Sequence, residues 1–513
     1  MAEELRPPFP LTDLPPEELR QLGYAVVDQW VDFLATVRDR PAWQPVPPAD
    51  AAALAEEPLP ESGAPAEAVL REVAERIAPY PYGNGHPRWW AYVAPSPAPM
   101  SILSQALAAG LDNNAWGANQ GSTYVEIAVL DWLKQLVGYP REAGGLLVSG
   151  GSEANLTALA IARNECAGWD VRRHGIAAPN ARPLVVYAST EAHSCVVKAI
   201  ELLGLGEDAL RRVPVDEQYR MDVAALAACV AEDRAAGRHP LAVVASAGTV
   251  NTGAIDPLAE IAAFCREQRI WFHVDGAYGG FAAASPLVRE RFRGMEQADS
   301  LAVDPHKWLY VPFAAGCVFV RDAGAMERSF AVAPAYLRLP SESPLRAPVY
   351  FSDRGIQLSR EFHALKIWVT LKHHGRRGLV AAIEHDLRMA ALLAGSIEAA
   401  PDFELLAPRE LSIVCFRYLP ADLAAIADRE PVRAYLDALN ERILVESQRD
   451  GRVFLSSTRL GGRYALRACL INFRTEPEDL RFALQTLREI GAAHDHAEAR
   501  AEAGIGPEGL AAD

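Results

Sequence analysis

Nowhere in the 513 residues does an apolar run approach the roughly 20 residues needed to span a membrane. The opening MAEELRPPFP lacks the basic start and apolar core of a secretory signal. Cysteine is sparse. The seven thiols, at 166, 195, 229, 265, 317, 415 and 469, are odd in number, widely spaced and without a C-x-x-C pair, which argues against a disulfide framework. They read as buried thiols in a reducing compartment, so a cytoplasmic location is expected. Positive charge is in deficit: 50 Lys and Arg stand against 66 Asp and Glu, for a formal net charge of -16. The sequence therefore predicts neither nucleic acid nor an anionic membrane as partner. There is no H-E-x-x-H, and His373-His374 are adjacent and cannot share one helical face, so no metal is expected. A G-x-S-x-G nucleophile elbow is also absent.

What is present is a chain half hydrophobic and 23% charged, enough to bury a large core in two or three domains. Leu19, Leu22, Val26, Trp30, Phe33 and Val37 recur at steps of three and four after Asp13-Leu14-Pro15-Pro16, predicting a capped amphipathic helix. Pro41 to Pro65 reads as an extended linker, followed by a helix-like stretch from Ala66 to Ile77. This early region is too broken to hold a core of its own, and a partner subunit is one candidate for its apolar face.

From about residue 100 to 380, short apolar runs alternate with longer helical stretches, the pattern of a buried, mostly parallel sheet covered by helices. The expected strands are Leu146–Val148, Leu184–Tyr187, Leu241–Ala245, Ile270–Val274, Ser300–Val303 and Cys317–Val320. Later runs near Ser412–Phe416, Arg452–Leu455 and Leu466–Phe473 predict a smaller α+β domain, and the acidic tail after 491 is expected to fray. The expected division is an N-terminal helical segment over 1–98, a large domain over 99–380, a small domain over 381–490 and a tail over 491–513.

In an open α/β sheet the ligand lies beyond the carboxyl ends of the strands. There, Ser149-Gly150-Gly151-Ser152 precedes a helical pattern, where glycines permit close approach and a helix start supplies free N–H groups for a phosphate. The same residues also suit an ordinary strand-to-helix turn. Asp275 ends an apolar run beside Gly276-Ala277, so it could hold a pyridine nitrogen protonated or cap the next helix. Lys307 follows another run in Asp304-Pro305-His306-Lys307-Trp308. As an amine that must form an imine it needs a lowered pKa, which burial and a cationic His306 would supply. His193 could stack on an aromatic cofactor or cap a helix.

Taken in order, Ser149-Gly-Gly-Ser-Glu-Ala-Asn155, His193, His273-Val-Asp275-Gly-Ala-Tyr278 and Asp304-Pro-His-Lys-Trp308 resemble the group II pyridoxal-phosphate-dependent amino acid decarboxylases, nearest to the aromatic-amino-acid branch. The likeness runs from about His86 to Arg467. It implies an α/β chain of fold type I with pyridoxal 5'-phosphate as cofactor, and a homodimer with shared active sites in which the N-terminal segment wraps the partner. It also implies residue roles. Lys307 matches the lysine that carries the cofactor as a Schiff base, Asp275 the ring-nitrogen partner and His193 the stacking residue. Gly150, Gly151, Ser152 and His306 match phosphate-side contacts, while Thr249, Ala277 and Asp304 line the cofactor pocket. Tyr336, in a proline-rich loop, matches the tyrosine that protonates the substrate α-carbon after carbon dioxide leaves.

The implied substrate is an L-amino acid, with tryptophan, tyrosine, phenylalanine and 3,4-dihydroxyphenylalanine as candidates. The expected substrate wall includes Trp89, Tyr92, Val93, Asp112 and Asn114. An aldehyde synthase, a decarboxylase of a non-aromatic amino acid and an inactive relative remain as alternatives.

Overall fold

The computed structural model describes residues 14–332 and 339–505. Its centre is a seven-stranded sheet built from β1 (Gly144–Val148), β2 (Leu184–Ser189), β3 (Leu210–Val213), β4 (His239–Ser246), β5 (Trp271–Asp275), β6 (Ser300–Val303) and β7 (Gly316–Val320), in the order β1-β7-β6-β5-β4-β2-β3. The pairs from β3 through β2, β4 and β5 to β6 are parallel, whereas β7 runs antiparallel to both β6 and β1. β1, β2 and β7 are buried along their whole length and β4 from its second residue on, which is why they read as continuous apolar runs instead of alternating ones.

A second, antiparallel sheet of β8 (Phe403–Leu405), β9 (Ile413–Tyr418), β10 (Ser456–Leu460) and β11 (Arg463–Cys469) has the order β10-β11-β9-β8. Helices Val432–Asp450 and Pro477–His494 cover it, their Leu436, Ile443, Leu480 and Leu487 entering its core. The helical segment His363–Glu398, broken at Gly375 where φ is 64° and ψ 169°, belongs to both cores. Its Ile367, Leu379 and Ile383 pack with the large sheet, and its Leu393 and Ile397 with the small one. Burying a side chain of this size contributes about 2 kcal/mol, so the helix ties the two sheets together through side chains that neither would bury alone.

The N-terminal helix Pro16–Thr36 buries none of its residues, and Leu19 and Val26 are exposed. The same is true of Leu103, Leu107 and Leu111 on helix Pro99–Leu111.

Four sequence expectations need correction. β3, with its Leu-Arg-Arg-Val sequence, was not expected as a strand. The stretch expected as a strand at Arg452–Leu455 gives way to β10 at Ser456, while Phe454 instead bridges Trp89. The expected linker contains a helix at Pro48–Ala55, opened by a proline at its first turn. The segment after 491, expected to fray, continues its helix to His494, forms another at Ala497–Glu502 and buries Ile505 against the second core.

Candidate active site

The carboxyl ends of the parallel strands open into a cavity of about 560 Å³. It gathers Gly150, Gly151, Ser152, His193, Thr249, Asp275, Ala277, Asp304, His306 and Lys307, together with Tyr92 and Val93. Residues from Gly150 to Lys307 thus meet because each ends a strand of one sheet or lies in the turn that follows it, while Tyr92 and Val93 reach the cavity from outside the sheet.

On one side, β1 runs into the glycine turn and the 16-residue helix Gly151–Cys166. The glycines are required by contact. A Cβ on Gly151 would meet Ala277 Cβ at 2.8 Å and Asp304 Oδ2 at 3.0 Å, and a Cβ on Gly316 of β7 would strike the Gly150 backbone at 2.4 Å. Glu153 caps the turn, accepting from the Ser149 amide at 2.9 Å and its hydroxyl at 2.7 Å. The first N–H groups of this helix face no intrahelical carbonyl and carry the positive end of its dipole, the donor set that suits a phosphate.

At the floor, Lys307 Nζ lies 2.9 Å from Asp304 Oδ2, and His306 Nε2 lies 3.6 Å from the same oxygen. Burial alone pulls the Lys307 ammonium down, but the paired Asp304, with Asp275 further off, outweighs it and leaves the pKa above its ordinary value. This reverses the sequence expectation. Burial also lowers His306, which is therefore neutral, and its Nδ1 accepts from the Ala315 amide at 3.1 Å. Asp304 Oδ1 is buried with no hydrogen-bond partner among the described residues. Thr249 is buried at the wall, its Oγ1 accepting from the Ala254 amide at 3.1 Å.

Asp275 sits at the end of β5, with Oδ2 accepting from Asn155 Nδ2 at 3.0 Å and Oδ1 from the Ala277 amide at 3.1 Å. His193 stands on the outer rim, where it is exposed to one side while contact with the wall lowers its pKa more than Asp275 raises it. Its Nδ1 accepts from the Cys195 amide at 3.1 Å, so the neutral ring carries its proton on Nε2.

Three expected substrate residues lie elsewhere in the single chain. Trp89 is packed with Ala42 and Phe454 in a small separate core. Asp112 is exposed at the C-terminal cap of helix Pro99–Leu111, in the left-handed region at φ 44°. Asn114 Oδ1 accepts from the Arg360 amide at 3.0 Å. Tyr336 lies outside the described residues.

Two residues emerge that the sequence reading did not single out. Asn155 is fully buried beneath Asp275. Arg467, on β11, is buried in the cavity wall and donates to the Val250 carbonyl at 3.0 Å, the Tyr92 carbonyl at 3.1 Å and Ser456 Oγ at 3.1 Å, with Nη2 left without a partner among the described residues. An asparagine in the interior of a helix and an arginine inside an apolar strand were the available signals.

The sheet order, with the cavity at the carboxyl edge of its parallel strands and a small antiparallel sheet beside it, is that of the fold type I pyridoxal-phosphate enzymes. The chain matches the pyridoxal-dependent decarboxylase conserved domain over residues 48–419. It is 34% identical over 478 residues to an aromatic-L-amino-acid decarboxylase of Bacillus atrophaeus, covering 93% of this chain and 95% of that one. With tryptophan decarboxylase TDC1 of Camptotheca acuminata it shares 30% identity over 93% of this chain and 94% of that one. The crystal structure of Oryza sativa TDC with PLP and tryptamine superposes with a TM-score of 0.86, at 26% identity, over 94% of this chain and 99% of that one. The chain belongs to the pyridoxal-dependent decarboxylase family, and is a carboxy-lyase that uses pyridoxal 5'-phosphate.

Proposed function

We propose that this enzyme removes the α-carboxyl group of an aromatic L-amino acid, giving the amine and carbon dioxide, and that Lys307, Asp275, His193 and Tyr336 carry the chemistry. The observation that supports it best is the meeting, in one cavity, of an amine, a strand-end carboxylate, a neutral imidazole and a glycine-opened helix start. These fit pyridoxal 5'-phosphate. A Cβ on Gly151 would strike Ala277 at 2.8 Å, and a buried oxygen of Asp304 has no partner among the described residues.

When bound, the cofactor supplies an aldehyde that condenses with an amine and a protonated ring that takes up the electron pair left as carbon dioxide departs. The free amides of Gly151 and Ser152 hold its phosphate, with His306 beside them. Asp275 keeps a proton on the ring nitrogen; its oxygens accept from the Asn155 side-chain amide, the Ala277 backbone N–H and, weakly, the Cys195 thiol, and it lines the cavity. His193 presents an uncharged ring face and an Nε2–H. Arg467 offers an unpartnered Nη2 to an anionic group of the substrate. Lys307 serves as the anchoring amine, and its pairing with Asp304 must loosen before the nitrogen becomes a nucleophile. The Tyr336 hydroxyl returns a proton to the substrate α-carbon.

A homodimer completes this reading. Leu19, Val26, Leu103, Leu107 and Leu111 are exposed on two helices, apolar side chains that a second copy would take out of water. A second copy covering it would bring Asp112 and Asn114 toward the partner's cavity and lay the N-terminal segment, through about residue 98, across the partner. No helix among the described residues is long and apolar enough to cross a membrane. The seven unpaired thiols, five of them buried, fit a cytoplasmic location.

The experiment is incubation of the purified protein and cofactor with the proteinogenic amino acids and 3,4-dihydroxyphenylalanine, with products read by mass spectrometry. The expected result is an aromatic amine with stoichiometric carbon dioxide and no hydrogen peroxide, and a shift toward aldehyde in Tyr336→Phe. Aldehyde from the unaltered protein would identify an aldehyde synthase instead, and turnover confined to non-aromatic substrates would overturn the aromatic assignment.

A further inference from the structure

Behind Asp275 runs a line of buried polar side chains of which Asn155 alone lines the cavity. Asn155, His273 and Ser300 are each fully buried, on helix Gly151–Cys166, β5 and β6 respectively. Trp271, at the opposite end of β5, is half-buried. The contacts run Trp271 Nε1 to Ser300 Oγ at 2.8 Å, Ser300 Oγ to His273 Nδ1 at 2.9 Å, His273 Nε2 to Asn155 Oδ1 at 2.6 Å and Asn155 Nδ2 to Asp275 Oδ2 at 3.0 Å.

The two ends fix the direction of every bond between them. An indole N–H can only donate, and an ionised carboxylate can only accept. Asn155 must therefore turn its amide nitrogen to Asp275 and its oxygen to His273. His273 then carries its single proton on Nε2, so Nδ1 accepts, and the Ser300 hydroxyl, already accepting from Trp271, donates to it. The Ser300 carbonyl, 3.2 Å from Nδ1, offers the competing arrangement. It would put the proton on Nδ1, turn the Asn155 amide over and set an oxygen against Asp275. Burial holds His273 down to about 4, so the ring stays neutral and cannot satisfy both arrangements at once.

We propose that Asn155, His273, Ser300 and Trp271 form a one-directional hydrogen-bond chain that positions Asp275 and preserves it as an acceptor for the cofactor's ring nitrogen. The inference rests on Asp275 being that ring partner. None of the four is a catalytic residue: His273, Ser300 and Trp271 do not line the cavity, and Asn155, at its wall, acts through its hydrogen bond to Asp275. The other groups facing Asp275 are Cys195, with Sγ at 4.0 Å, and the cavity's Lys307, Asp304 and His193.

The test is a double-mutant cycle of Asn155→Ala and Asp275→Ala on the full-length protein. Two quantities are read: the dissociation constant for pyridoxal 5'-phosphate and the pH at which the bound cofactor's visible absorption changes. Thermal melting confirms that each variant is folded. Losing one hydrogen bond to a charged group should weaken cofactor binding about tenfold in Asn155→Ala. The absorption change should move to higher pH, since a ring that no longer holds its proton stops repelling the proton on the nitrogen that links it to Lys307. In the Asp275→Ala background, Asn155→Ala should add nothing. Trp271→Phe, which deletes one donor at a half-exposed site, should shift both readouts the same way by about threefold or less while leaving the melting temperature near that of the parent.

Additive effects in the cycle, or an unchanged absorption profile in both Asn155→Ala and Trp271→Phe, would overturn the chain. A different failure, in which Asp275→Ala itself leaves binding and the absorption profile untouched, would instead overturn the reading of Asp275 on which the chain depends.

Discussion

The short turn that carries Lys307 has two sides, and they are built to opposite rules. Toward the cavity, Lys307 pairs with Asp304, whose other oxygen, like Nη2 of Arg467, has no partner among the described residues. Toward the protein interior, Trp308 Nε1 donates at 2.9 Å and the Tyr310 hydroxyl at 2.5 Å to the same oxygen of Asp386, and the Asn472 amide donates to its other oxygen at 3.2 Å. One side is left polar and incomplete, the other is closed. Unused hydrogen-bonding capacity in a buried place costs stability and marks where a ligand belongs. A filled network around a buried carboxylate marks a structural anchor, here joining the lysine turn, the helical segment His363–Glu398 and the chain just after β11.

The comparison can be broken at four points. Lys307→Ala should produce the largest effect, with loss of the visible cofactor band and at least about a 10³-fold fall in turnover, in a protein that melts normally. On the closed side, Asp386→Ala strands the Trp308 and Tyr310 donors and should cost about 3 kcal/mol in denaturant unfolding. The fraction that remains folded should bind cofactor nearly as well as the parent. If binding collapses while stability holds, the two sides are not separate.

Asp304→Asn is a smaller change. It removes the charge that holds Lys307 above its ordinary pKa, so the pH profile for cofactor capture by the amine should move down by about one unit. An unmoved profile would show that Asp304 does not govern the lysine.

The smallest effect is on stability against pH. Burial lowers His86, His273 and His363 to about 4. Their contribution is complete above the unfolded value near 6.5 and is lost as pH falls through about 4. Burial raises Asp386 to about 7, so its contribution has the opposite sign, present at low pH and lost as pH rises through about 7. Burial also raises Asp256 to about 6, with the same sign as Asp386, but three histidines outweigh the two aspartates, so melting temperature should decline from pH 6.5 toward 4. Asp386→Asn, which keeps an acceptor for Trp308 and Tyr310 but gains no proton, should make that decline steeper. A flat melting profile between pH 4 and 6.5 would contradict the assignment of those histidines as buried and neutral.

Much of the large sheet could be read in advance, because strands buried on both faces are apolar without interruption, as in Leu241–Ala245 and Cys317–Val320. β3 could not, since Leu210 and Val213 enclose two arginines and the strand is held by pairing with β2 more than by burial. Nor could the reversal of β7, which depends on connections and not on composition. Of the candidate site, residues at strand ends and in the glycine turn were visible because a short local pattern announces each of them. Asn155 and Arg467 were missed because their partners lie 120 and more than 200 residues away in sequence. The expectation of a lowered Lys307 pKa failed for a related reason. It counted His306 as a cation, whereas burial makes that ring neutral and leaves Asp304 as the dominant neighbour.

The chain has only five lysines, at 134, 198, 307, 366 and 372, and basicity alone would choose the wrong one. Lys366 is buried, has no hydrogen-bond partner among the described residues and is lowered by burial to about 8, which makes it the readier nucleophile. Yet it lies on helix His363–Glu398 and does not line the cavity, whereas Lys307 does. Borohydride reduction of the cofactor-loaded protein, followed by peptide mass spectrometry, distinguishes them directly. Phosphopyridoxyl mass on the peptide containing Lys307 is the predicted result, and the same mass on Lys366 or any other lysine would contradict it.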